Sequence, residues 1–159
     1  MTALKPDQPM FTGEHPRTLD VGLRVNLPKD WRSLNIKEFF LISGSAEPYI
    51  RVMPRSEYEK AVASITEAVD LNPREKNICL RELGKCLRTQ LDSSGRLTLP
   101  ADLCAKIGVG TKSADVMLRG TVLNFEVWKP KDIADWEKKQ AEPDEHGNPR
   151  MNVQDFLGL

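Results

Sequence analysis

Apolar and polar positions alternate in short runs along this chain, and most of these runs stop at a proline. LRVNLP (residues 23–28), RLTLP (96–100), YIRVMP (49–54) and LNFEVWKP (123–130) share this form, while FFLIS (39–43) and DVMLR (115–119) are apolar runs ahead of a glycine. A period of two predicts strands, and proline, which has no N–H to give to a ladder, ends them. Helical spacing takes over in RSEYEKAVASITEAV, where Tyr58, Val62, Ile65 and Val69 share a face, and in KDIADWEKKQ, where Ile133 and Trp136 do, with a proline near the first turn of each. REKNICLREL (74–83) predicts a further helix capped by Gly84, which turns the chain into the strand KCLRTQL (85–91).

The pattern occurs twice. Leu19, Asp20, Arg24, Leu27 and Pro28 recur 72 positions later as Leu91, Asp92, Arg96, Leu99 and Pro100. Gly44 and Pro54 then match Gly120 and Pro130 at an offset of 76, which places a four-residue insertion in a loop around IGVGTKSA. Each copy reads strand, short helix, strand, turn, strand, amphipathic helix, so the chain is expected to hold two modules, residues 10–70 and 71–140. The remaining 141–159 is polar, contains two prolines, and is expected to be a flexible tail whose VQDFLGL end could dock on a neighbour.

Composition changes the picture little. Of 159 residues, 40% are apolar and 29% charged, a normal balance for a folded soluble chain. No run approaches the roughly 18–20 apolar residues that span a bilayer, and MTALKPDQPMFTGEHP lacks the apolar core of a secretory signal, so no membrane association and a cytoplasmic location are expected. Cys79, Cys86 and Cys104 form no Cys-x-x-Cys and are expected to be reduced thiols. His15 and His146 lack metal-ligand spacing, and no P-loop or nucleophile elbow is present; the expectation is a non-enzyme without cofactor or metal.

Formal net charge is zero, which gives the whole molecule no long-range pull on nucleic acid. Residues 71–112, however, carry eight Lys or Arg against four Asp or Glu, while 113–159 carry six against nine. The basic excess surrounds LDSSGRLTLP. There Asp92 can accept backbone N–H groups in an Asx-type turn, and Gly95 can take positive φ. Arg96 is then open to two readings: an ion pair with Asp92 that stabilises the turn, or an outward fork suited to phosphate or to the O6/N7 edge of guanine. In the first copy Leu23 stands where the second has Gly95, so that turn is expected to be strained or differently built, and Arg24 a weaker contact than Arg96.

MFTGEHPRTLDVGLRVNLP and LRTQLDSSGRLTLPADL, together with FEVWKP, resemble the two repeats of the MraZ family of bacterial transcription regulators over roughly residues 10–140. The resemblance implies an α+β fold of two tandem AbrB-like swapped-hairpin modules, forming a pseudo-twofold β-barrel with attached helices. It also implies a ring-like homo-oligomer, nucleoid-associated, that binds tandem promoter repeats in double-stranded DNA and controls division and cell-wall genes. Carried onto this chain, the DNA contacts are Arg24 and Arg96, with Arg17, Lys29 and Arg88 as further phosphate contacts, while Asp20, Asp92 and Gly95 shape the turns. Oligomerisation is also expected because Trp31, Phe39, Phe40, Phe125, Trp128 and Trp136 are many large apolar groups for a small chain to hide. The rival reading is an AbrB-like interaction scaffold or antitoxin-type module, with Phe156 and Leu157 as a docking peptide.

Overall fold

Prolines set the boundaries of the fold. The computed structural model describes residues 10–44, 46–110, 114–149 and 151–158. Strands β1 (Glu14–Thr18) and β2 (Arg24–Asn26) lead to a one-turn helix α1 (Lys29–Arg32), then β3 (Glu38–Ile42), β4 (Tyr49–Pro54) and helix α2 (Arg55–Thr66). After α3 (Pro73–Leu83) the series repeats as β5 (Leu87–Gln90), β6 (Arg96–Thr98), α4 (Ala101–Lys106), β7 (Asp115–Gly120), β8 (Phe125–Trp128) and α5 (Pro130–Ala141), followed by α6 (Val153–Leu157). Pro28, Pro54 and Pro100 each occupy the N-cap of the next helix with ψ between 136° and 160°. Each therefore closes a strand and opens a helix in one residue. α3 has a stronger start, a capping box in which Asn72 and Glu75 satisfy each other's backbone N–H groups, with Pro73 in the first turn.

The two copies interlock. The main sheet is antiparallel with strand order β1-β7-β8-β4-β3-β5, and among the described residues β2 pairs only with β6, in a two-stranded ribbon. Exchanging each strand for its counterpart in the other copy (β1 with β5, β3 with β7, β4 with β8) gives the same order read backwards. The centre of this symmetry lies between β4 and β8, where Arg51 faces Glu126 and Ile50 faces Val127. In the ribbon it lies at Val25 opposite Leu97, two residues 72 positions apart.

The sheet is not a closed barrel, contrary to the expectation from resemblance. β1 and β5 are its two edges, and among the described residues the ribbon strands ladder with neither, touching them through side chains such as Arg17 and Thr89. Each ribbon strand has three residues and is followed within two by a proline, and the N–H groups of the intervening Leu27 and Leu99 are spent within the ribbon, on the Gly95 and Leu23 carbonyls.

One compact unit ends at Lys129 and a second begins at Pro130. The core of the first is a continuous cluster in which Val25, Leu27, Leu97 and Leu99 from the ribbon region join Leu41, Ile50, Val52, Leu118 and Val127 from the sheet. At its centre are four aromatic rings. Phe125 lies 4.8 Å from Trp31, 5.4 Å from Phe11 and 5.7 Å from Phe39, centroid to centroid. Trp31, Phe39, Phe40, Phe125 and Trp128 are all buried within this chain, so they are core residues and supply no argument for an oligomer. The large apolar side chains left exposed include Val69, Ile78, Val153, Phe156 and Leu157.

In the second unit the segment read as a flexible tail carries local structure. Asp144 Oδ1 accepts the N–H groups of His146 and Asn148 at 2.9 Å each, Gly147 takes φ 77°, and Asn152 caps α6. This Asp-x-x-Gly turn has the form of those described below, with Asn148 at the arginine's position.

Candidate nucleic-acid interface

Alternation along β2 and β6 decides which side chains face out. Val25 and Leu97 are fully buried, so Arg24, Asn26, Arg96 and Thr98 lie on the outer face of the ribbon. Each arginine follows a tight turn, and the two turns are built alike. Asp20 Oδ1 accepts the N–H of Gly22 and of Arg24 at 2.9 Å, while Oδ2 accepts from Arg24 Nε at 2.7 Å. Asp92 Oδ1 accepts the N–H of Ser94 and of Arg96 at 2.9 Å, while Oδ2 accepts from Arg96 Nε at 2.9 Å. The residue before each arginine is in the left-handed region, Leu23 at φ 61° and Gly95 at φ 77°.

The first turn is thus strained but not differently built. Leucine in this region costs about 1–2 kcal/mol relative to glycine, and Leu23 offsets part of it by packing against the buried core. The tips differ: Val21 is fully exposed where the second copy has Ser93.

Both readings of the arginine meet in this geometry. Nε of each is committed to its own aspartate, so the ion pair exists, yet both side chains remain about one-third exposed. The terminal nitrogens make no hydrogen bond among the described residues. An aspartate that holds Nε from the side fixes the guanidinium plane and leaves the Nη1/Nη2 edge as a presented fork. The turns are also adjacent, because Arg96 Nη1 lies 3.7 Å from Asp20 Oδ2.

The carboxylates are ionised well below neutrality. The backbone N–H of Arg24 does most to hold Asp20 below the ordinary carboxylate range, burial opposes it, and the Gly22 N–H and the Arg24 guanidinium add to the lowering. Asp92 is lowered in the same way by Arg96 and Ser94. A group with a depressed folded-state pKa contributes stability that is present above its unfolded pKa, about 3.9 for aspartate, and is lost as pH falls through the lower folded value. The Asp20→Asn/Asp92→Asn variant keeps an oxygen acceptor in each turn but does not titrate. Its urea midpoint is expected to fall less than the wild type's between pH 5 and pH 2, and equal falls would contradict this role.

Of the further candidates, Arg17 bonds the ribbon and Lys29 follows it in the chain. Arg17 donates from Nε to the Asn26 carbonyl at 3.0 Å and from Nη1 to the Pro16 carbonyl at 2.8 Å, and Lys29 is exposed at the start of α1. Arg88 does neither. Its neighbour Thr89 faces the ribbon, bonding the Thr98 carbonyl, so Arg88 lies on the opposite side of β5, where it pairs with Glu38 at 3.0 Å and covers the Phe40 ring at 5.6 Å. It lines a groove of about 440 Å³ with Phe40, Tyr58 and Val62. Arg32, at the end of α1, was not singled out by sequence, yet its side chain lies across Gly95.

Comparison with known proteins decides the family. The sequence profile described as "MraZ protein, putative antitoxin-like" matches residues 83–155. A transcriptional regulator MraZ from Alcanivorax borkumensis is 30% identical over 130 residues, covering 79% of this chain and 87% of that protein. The chain belongs to the MraZ family. MraZ regulators of Mycobacterium sp. strain KMS, 30% identical, and Leuconostoc citreum, 27% identical, each align over 138 residues, 86% of this chain and 91% of theirs. The chain is therefore a member of a family of transcriptional regulators. Among the described residues no helix is long and apolar enough to cross a membrane, and no cluster of three metal-binding side chains occurs.

Proposed function

We propose that this protein binds double-stranded DNA at tandem promoter repeats as a homo-oligomer in the cytoplasm, associated with the nucleoid, through the outer face of the β2–β6 ribbon. The observation that carries the proposal is the pair of matching turns, each holding an arginine fork by a side-on aspartate, on an exposed two-stranded ribbon. A ribbon of this kind fits the major groove, and the Nη1/Nη2 edge matches guanine O6 and N7. Within the proposal, residues 10–70 and 71–140 act as two AbrB-like modules that each present one turn, and several copies in a ring present many turns to repeated sites. Avidity then compensates for weak individual contacts and zero net charge. Control of division and cell-wall genes is the regulatory role proposed for it.

An interaction scaffold is the second reading. It is favoured by the groove beside α2, lined by Phe40, Tyr58 and Val62, and by the exposed Phe156 and Leu157. Titration of the intact protein with a duplex from upstream of its own coding sequence, and with a scrambled duplex, separates the two. DNA binding predicts preference for the native duplex and a steep loss of affinity between about 50 and 200 mM salt. Equal or absent binding of the two duplexes at low salt favours the scaffold.

A further inference from the structure

We propose that Arg32 is a third arginine of the DNA-contact face, a phosphate ligand held over the second turn. This inference rests on the DNA-binding reading. The site is built by a small residue and a large one exchanged between the copies. In the second turn the left-handed position is Gly95, and a Cβ there would collide with Arg32 Cδ and lie 3.1 Å from Arg32 Nη1. In the first turn the same position is Leu23, and the residue 72 positions after Arg32 is Cys104, which is buried in the core that Leu23 packs against. Where one copy fills the left-handed position with a leucine packed against the core, the other leaves it to glycine and lays an arginine stem across it.

The consequence is electrostatic. Arg24 and Arg96 each carry an aspartate partner, so the two turns together have no net charge. Arg32 is exposed and makes no ion pair or hydrogen bond through its guanidinium among the described residues, and Asp30 on the same helix does not pair with it. Its guanidinium sits beside the residue preceding Arg96. It therefore brings an unneutralised charge to the second turn, while its counterpart Cys104 brings none to the first. An uncompensated cation next to a fork that reads a base edge is placed to bind the flanking phosphate.

The test compares wild type, Arg32→Gln and Arg32→Lys on the native upstream duplex and on a scrambled duplex of equal length, across salt concentration. Glutamine keeps most of the stem over Gly95 and removes the charge; lysine keeps the charge. The expected result is that Arg32→Gln weakens binding to both duplexes by a similar factor of about tenfold and lowers the slope of log affinity against log salt by about one for each phosphate no longer neutralised. Arg32→Lys is expected to restore the slope, and urea midpoints of all three are expected to agree. Wild-type affinity and slope in Arg32→Gln would overturn the Arg32 assignment while leaving the DNA reading intact, whereas failure of the wild type to bind either duplex overturns both. A slope that falls in Arg32→Gln but is not restored by lysine also overturns it, because a phosphate contact needs only the charge.

Discussion

Arg24→Ala/Arg96→Ala is expected to bind the native upstream duplex about 100-fold or more weakly than the wild type, with most of the loss in discrimination against the scrambled duplex. Each bidentate arginine–guanine contact contributes about 1–3 kcal/mol of discrimination, and two are removed. The variant also exposes Asp20 and Asp92 without their nearest cations, which turns the centre of the ribbon face from neutral to acidic. The single variants are expected to differ. With Arg24 removed, Arg96 still faces both carboxylates, bonding Asp92 and lying 3.7 Å from Asp20. With Arg96 removed, Asp92 loses its partner and Asp20 loses the second cation. Arg96→Ala is therefore the more damaging, for reasons of charge rather than turn shape. Fluorescence anisotropy of a labelled duplex measures this, and equal affinities of double variant and wild type would remove the ribbon from consideration as the DNA face.

Phe125→Ala is expected to destabilise the fold by about 3–5 kcal/mol, read as a lower urea midpoint. Phe125 is fully buried and meets three other rings, from the N-terminal segment, α1 and β3. Its removal leaves a cavity bordered by flat rings that cannot collapse without moving their backbones. Since single domains have about 5–15 kcal/mol in total, this is a large share of the whole. Trp31 ties the cluster to the helix that carries Lys29 and Arg32, so a loosened core is also expected to weaken DNA binding by misplacing α1. A change below about 1 kcal/mol would mean that these rings do not organise the core.

The sequence carried the local features of the site well because they are local in the chain. Asp20 to Arg24 and Asp92 to Arg96 are closed by hydrogen bonds within four residues, and Pro28 and Pro100 end the strands that follow, so spacing alone points to turn, strand and stop. What spacing could not reveal was pairing between distant segments. Nothing in FFLIS says that β3 lies between β4 and β5, or that β2 ladders with β6 and leaves the sheet open. Leu23 misled because local propensity argues against leucine in the left-handed region, while the packing that compensates is tertiary. Arg32 was missed because its partner in space, Gly95, lies in the other copy. The trace it left was visible in principle, as Leu23 with Cys104 against Gly95 with Arg32 at the same 72-residue offset.

The most direct test of the ribbon as the DNA face is amide hydrogen exchange of the full-length protein with and without the native upstream duplex. The account predicts new protection in residues 20–26 and 92–98 and in α1, with Val153–Leu157 and the groove beside α2 unchanged. Protection confined to α2 and α6, with both turns exchanging as in the free protein, would contradict it.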